Sequence, residues 1–520
     1  MRRRGGVIAV VLFAVACSEA REPAKLTAPD AQLNVAGNSE KRWVIVFNQP
    51  SDLPANVERI VADAGGRVLT AVPQIGALVA VSSDEGFATK IAAEPRVRAV
   101  SENVLTQGLP RLPYLSVMAA DAADTQGPAE PPGDDTQTGS EPFYNPFQWD
   151  KKRMRASNQG SYGVQRGRRD VVVAILDTGA DVLPVPHIDI APNLDAGRSR
   201  SFTDLAFGFE GDPNPASWDD KHGHGSWCAS AVAAPINGRG MSGVAPQVTV
   251  VALKVLGDDG RGDPFALVLA LVYAGMNRFD VASMSLGLYT AHAGGQAYIT
   301  AVQRALEFAR MNGVTPIAAL GNEALDVSDG SVFGPFVVLP AELPGVIGVS
   351  ATGMLNQKAY YSNFGVGKTD VSAPGGDTRF PSPMPVPPFG AVLGAWATEE
   401  CGFPNCYVFA AGTSMATPNA AGVAALIISQ YGDFTPDNSR KLHMSPTQVE
   451  SILQQTANNQ ACPEPNTVTY PNIPQEPPNP PITITATCKG EAGGYTNFFG
   501  KGIVDAFKAV TSKSPTPGGQ

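Results

Sequence analysis

From residue 171 onward, this chain is patterned by mainly apolar runs. Residues 171–176 form an unbroken one, which ends in Asp177-Thr178-Gly179, and further apolar strand-like runs, each with a Thr, Ser or Gly within it, begin at Val248, Val281, Val314 and Val346. An apolar, β-branched run without alternation predicts a strand buried on both faces. Helical stretches, such as 266–276 and 301–311, lie between these runs. The alternation predicts an α/β fold, a mainly parallel sheet flanked by helices. Further along, the small residues 420–425 lead into Leu426-Ile427-Ile428, which predicts a tightly packed buried helix with Ser414 near its amino end.

Residues 41–106 follow a different rhythm. Strands are predicted at 43–47, 68–72, 78–81 and 97–100, with short helices at 56–64 and near 86–93. The result is a small α+β unit of about 65 residues, a size marginal for independent stability. Residues 107–141, rich in Pro, Gly and Asp, read as a flexible, protease-accessible linker. A large unit then spans 142–511, followed by a short tail at 512–520. Pro-rich stretches near 380–390 and 471–481 are expected to be surface loops.

Three places carry candidate chemistry. Asp177 stands where a buried strand ends, and functional groups in open α/β sheets gather at the carboxyl ends of strands; a turn-forming Asp before Thr-Gly is the plain alternative. His222 and His224, two of only five histidines, lead into an Ala-rich helical segment. They could ligate a metal, but no cysteine or carboxylate cluster at ligand spacing accompanies them. Ser414 lies in Gly412-Thr413-Ser414-Met415-Ala416-Thr417-Pro418, where unpaired N–H groups at a helix start favour an oxyanion. Ser and Thr are also ordinary helix caps.

Together these motifs resemble the active-site signatures of the subtilisin-like serine proteases, the subtilases, in that family's order Asp, His, Ser. Supporting matches include Gly243-Val244-Ala245-Pro246, Ser285-Leu286-Gly287, Gly321-Asn322-Glu323, Tyr361-Ser362-Asn363-Phe364-Gly365 and Asp370-Val371-Ser372-Ala373-Pro374-Gly375. The resemblance implies Ser414 as nucleophile, His224 as general base and then acid, and Asp177 as the orienting carboxylate. His224 is preferred to His222 because only it is followed by Gly-Ser-x-Cys-Ala-Ser. Asn322, after an apolar run, takes the place of the family's side-chain donor to the oxyanion. Gly260 and Gly262, with Ser285, Leu286 and Gly287, resemble the two segments between which subtilases clamp an extended peptide. Val338 falls where many members carry a small residue in the main specificity pocket, which implies a narrowed pocket. Cys228 matches the thiol-containing branch, although a small buried core residue is the simpler reading. Residues 41–106 resemble the inhibitory propeptide of the family. No cofactor is needed for the chemistry; structural calcium is common among members, but no ligand set can be named from this sequence.

Charge and termini complete the picture. A formal charge of −10 and a pI near 5.1 argue against a nucleic-acid partner. The expected partners are protein or peptide substrates and the chain's own propeptide, with a monomer as the expected state. Residues 1–20 read as a bacterial-looking export signal, basic at 1–4 and then apolar, too short for a permanent membrane span. Cleavage after Ala16 and lipidation of Cys17 both remain open, so the protein is expected to be secreted or held at the cell envelope. Export permits disulfides, and Cys401 with Cys406 and Cys462 with Cys488 are the economical pairs, though spacing alone does not fix them. The competing expectations are a serine esterase, disfavoured by the absence of a Gly-x-Ser-x-Gly elbow, and a catalytically inactive subtilase-fold peptide-binding or surface protein.

Overall fold

The computed structural model describes residues 40–109, 112, 114–118, 136–292, 294–330, 334, 336–379, 390–434, 442–473, 482–491 and 493–512. The export-signal reading at 1–20 with Cys17, most of the Pro-rich stretch 380–390 and nearly all of the tail 512–520 lie outside the described residues.

Seven parallel strands form the main sheet, in the order Val371–Pro374, Ile347–Thr352, Thr315–Ala319, Val281–Met284, Val172–Asp177, Thr249–Lys254 and Arg200–Ser201. The unbroken apolar run 171–176 divides by residue parity, as the pleat requires. Val171, Val173 and Ile175 enter one core with the helices His224–Ala233 and Thr413–Tyr431. Val172, Ala174 and Leu176 enter the other, with the helices Pro264–Met276 and Gln296–Met311. Strand order reverses between Val172–Asp177 and its neighbour Val281–Met284, because the chain adds strands on one side before crossing to the other. Such a switch point opens a crevice beyond the carboxyl ends of the two strands. Asp177 and Ser285 stand at those two ends.

Residues 41–102 form a four-stranded antiparallel sheet, in the order Arg67–Val72, Ala77–Ser82, Lys41–Phe47, Val97–Glu102. Its helices Val57–Asp63 and Phe87–Ala92 cover one face around Ile45, Phe47, Leu78 and Ala80. The other face, with Val44, Val46, Val72 and Val79, joins the core around Pro264–Met276 and Gln296–Met311. Polar contacts fix this docking. Asp263 accepts from Arg42 at 3.0 Å and from Asn103 at 2.8 Å, and Ser101 Oγ accepts from Ala297 N at the start of the second helix.

Two expectations need correction. The stretch 107–141 is not connecting chain throughout: Thr106–Gln107 pairs with Arg261–Gly262, and Tyr114–Val117 adds to the edge of Cys406–Ala411. Each segment is short and lies among Pro, Gly and Asp, so the ladders that hold it are tertiary and leave no local pattern. Likewise 471–473 is not loop but the end of the strand Thr467–Ile473, which pairs with Ile482–Thr487. The structure joins Cys401 to Cys406 and Cys462 to Cys488, and leaves Cys228 as a free, buried thiol. Among the described residues no helix is long and apolar enough to cross a membrane.

Candidate active site

Asp177 ends its strand with the carboxylate fully buried. Its Oδ1 accepts from Thr178 N at 2.8 Å and lies 2.7 Å from His224 Nδ1. Glycine permits this approach. Gly225, the second residue of the histidine helix, sits so close to Gly179 that a Cβ would stand 2.3 Å from its carbonyl oxygen. Gly223, just before the helix, has φ of 99°, a left-handed conformation in which a side chain would also meet Trp396.

Asp220 organises the same turn and was not singled out in the sequence. Its Oδ1 accepts from Thr178 Oγ1, His222 N and Gly223 N, and its Oδ2 from Ser226 N and Ser226 Oγ. Burial pushes its pKa up, but the charge of Lys254 and these hydrogen bonds outweigh burial and hold it below the ordinary carboxylate value. The sequence signal was an acidic residue four positions before His224, indistinguishable from a solvated one. His222 is less buried; its ring lies 6.3 Å from that of His224 and 6.0 Å from Trp396.

Ser414 is the second residue of the helix Thr413–Tyr431 and is fully buried. Pro418, four residues on, has no N–H, so the Ser414 carbonyl loses its intrahelical donor. That carbonyl accepts from Ser285 Oγ at 2.8 Å and lies 3.8 Å from Cys228 Sγ. The freed carbonyl thus ties the serine to the end of the neighbouring strand. Cys228 Sγ is also 3.7 Å from Asp177 Oδ2, so one side chain bridges the aspartate and the serine backbone. Burial, then the Asp177 charge, raise the Cys228 pKa well above the ordinary thiol value. The Ser414 hydroxyl donates to Ser285 O at 3.1 Å, and His224 Nε2 is buried without a hydrogen bond. The serine–histidine hydrogen bond is therefore not made in this arrangement.

Asn322 follows the strand Thr315–Ala319. Its Oδ1 accepts from Thr413 N at 2.8 Å and Thr413 Oγ1 at 2.9 Å. Pinning the oxygen to the helix start turns the amide NH₂ away from it, and a Cβ on Gly412 would stand 3.3 Å from Nδ2. Asn363 holds this turn: its Nδ2 donates to Leu320 O at 2.9 Å and Glu323 Oε2 at 2.7 Å, and its Oδ1 accepts from Glu323 N and Leu325 N.

The proposed peptide-binding segments contact the chain itself. Arg261 and Gly262 pair with Gln107 and Thr106, Gly108 N and Leu109 N donate to Gly260 O, and Gly287 N donates to Gly108 O at 2.9 Å. Leu286 and Gly287 face Gly262 across a small pocket also lined by Gly108 and Leu256. Leu112 then comes within 3.1 Å of where a Gly412 Cβ would be. Val338, fully buried in the strand Phe336–Leu339, stands behind Gly287, its Cγ1 3.5 Å from a Cβ placed there.

Among the described residues, one group of three metal-ligating side chains lies close together: Asp177, His224 and Cys228. His222 is not part of it. This set cannot supply the roughly six to eight oxygens calcium takes. A better fit for calcium is Asp189, beside the loop 236–241, whose buried Oδ1 makes no hydrogen bond. Burial raises the Asp189 pKa to about 7, and the negative charge of Glu141, whose Oε1 accepts from Asn237 N and Gly238 N, adds to it.

Residues 168–498 match the peptidase S8 model, described as the subtilase family. The chain is 28% identical to subtilisin NAT of Bacillus subtilis subsp. natto over 409 residues, 78% of this chain and 84% of that protein. It is 32% identical to subtilisin DY of Bacillus licheniformis over 300 residues, 57% of this chain and 91% of that protein. In fold it is similar to the epidermin leader peptide processing serine protease of Staphylococcus aureus, with a TM-score of 0.65 and 18% identity over 92% of this chain and 100% of that one.

Proposed function

The chain belongs to the subtilase family of subtilisin-like serine endopeptidases, and from that premise we propose that it cuts polypeptides through Ser414, His224 and Asp177 and is made as an exported zymogen. Ser414 attacks the scissile carbonyl while His224 Nε2 takes its proton. Asp177 on Nδ1 fixes the tautomer that leaves Nε2 free to accept and stabilises the imidazolium that forms. The oxyanion is met by the Ser414 N–H, at the positive end of a helix, and by Asn322 Nδ2. His224 then returns the proton to the leaving amine, and water drawn through the same imidazole releases the acyl group.

The observation that carries this reading is the path of the chain itself. Residues 106–109 lie along Gly260–Gly262 and Gly287 as an extended peptide, and Leu112 follows beside Gly412. Substrate is bound in the same way, by main-chain hydrogen bonds that demand little of its sequence. Residues 41–106 are an inhibitory propeptide, and the self-cleaved bond lies between Leu109 and Tyr114. Val338 narrows the pocket for the residue before the cut; a peptide library cleaved best after Phe or Tyr would overturn this. Calcium, if bound, would be held by Asp189 and Glu141 and would brace the loop 236–241.

Mass spectrometry of purified wild-type protein and Ser414→Ala tests the proposal. Wild type is expected to begin between residues 110 and 114 and to cleave added peptides, whereas the variant stays full length and inert. Equal processing in both would refute it, and a processed protein without peptidase activity would favour a binding role.

A further inference from the structure

We propose that the chain's own Tyr114–Val117 competes, as a tethered antiparallel strand on the edge of Cys406–Ala411, with the leaving-group side of an extended substrate. In the precursor that edge is held by the same segment, which stays there after the first cut. The inference rests on the protease reading above and extends it to the far side of the scissile bond.

The strand Cys406–Ala411 runs directly into Gly412, Thr413 and Ser414, so the edge that carries Tyr114–Val117 begins where a substrate's leaving half emerges. Tyr114 pairs with Ala411, Leu115 with Ala410, Ser116 with Phe409 and Val117 with Val408, and Met118 N donates to Tyr407 O at 2.9 Å. The Met118–Tyr407 bond sets the alternation of the ladder. Ser116 and Phe409 are accordingly a hydrogen-bonded pair, whereas the N–H of Leu115 points away from the sheet. Leu115 and Val117 are exposed, so the ladder rather than side-chain pockets holds the segment. Met118, buried in the core, anchors its far end.

Cleavage between Leu109 and Tyr114 releases the new amine on the Tyr114 side, which remains covalently joined to the catalytic unit through Met118 and the residues after it. A tethered segment has an effective concentration in the millimolar range. A substrate extending past the scissile bond must displace it, whereas one whose leaving group is a single amine need not pair with this edge.

The test compares two peptides with the same acyl half, one ending in a chromogenic amine and one extending five residues further. Processed wild type, Ser116→Pro and Leu115→Pro are normalised by titration with a serine-directed fluorophosphonate. Ser116→Pro removes a ladder donor and should raise the long-to-short ratio of kcat/KM about tenfold or more; Leu115→Pro, which removes an outward N–H, should leave it unchanged. An unchanged ratio in Ser116→Pro would overturn the proposal. Should that variant fail to mature, hydrogen exchange on processed wild type decides. Protected Ser116 and Phe409 amides support the tethered competitor, and rapid exchange at both refutes it. Failure of the titration itself would count against the protease reading instead.

Discussion

Asp220→Asn is the sharpest test of how the turn before His224 is held together. The carboxylate accepts three hydrogen bonds on Oδ1 and two, from Ser226 N and Ser226 Oγ, on Oδ2. Asparagine keeps one oxygen, so the first three survive and the second pair faces an NH₂ group. Ser226 Oγ can turn to accept, but the Ser226 N–H is left buried without a partner, which costs about 1–3 kcal/mol. Loss of the charge that offsets Lys254 and strengthens the other bonds adds about 1–2 kcal/mol. The expected destabilisation is about 2–5 kcal/mol, read from the urea midpoint in a Ser414→Ala background that prevents self-digestion. Asp219→Asn is the control: both its backbone bonds, from Val182 N and Leu183 N, fall on a single oxygen, so a change under about 1 kcal/mol is expected. The pH dependence has a definite sign. The Asp220 pKa is lower folded than unfolded, so its contribution is present above about pH 4 and is lost as pH falls through the folded value. The gap between Asp220→Asn and the parent should therefore close on acidification. A loss below about 1 kcal/mol at pH 7, or a gap that widens in acid, would refute the reasoning.

Two further outcomes are expected. Asn322→Ala should lower kcat about 10²–10³-fold with little change in KM, a magnitude known from an oxyanion donor in a subtilisin rather than derived from this chain; an equal loss through KM alone would point to a role in binding instead. Cys228, buried and with a raised pKa, should resist iodoacetamide in the folded protein at neutral pH, whereas mercury bound there should displace His224 and inhibit; full activity after verified mercuration would dispose of that coupling.

The sequence by itself determined the parallel sheet and singled out Asp177, His224 and Ser414 as the candidate reactive groups. An apolar, β-branched run of this length leaves no solvated face, so 171–176 reads as a doubly buried strand, and the helix beginning near Ser414 follows from its run of small residues. Within that helix, a proline four residues after the serine leaves that residue's carbonyl without its intrahelical donor. Tertiary structure decided what that carbonyl meets, namely Ser285 Oγ, and which acidic residue is structural. Asp219 and Asp220 are identical in sequence terms and differ only in how neighbouring elements distribute donors over their oxygens. It also decided the fate of Thr106–Gln107 and Tyr114–Val117. Their strand character comes from edges offered by residues about 150 and 300 positions away in the chain, and pairing of that kind leaves no periodicity in the segment that is paired.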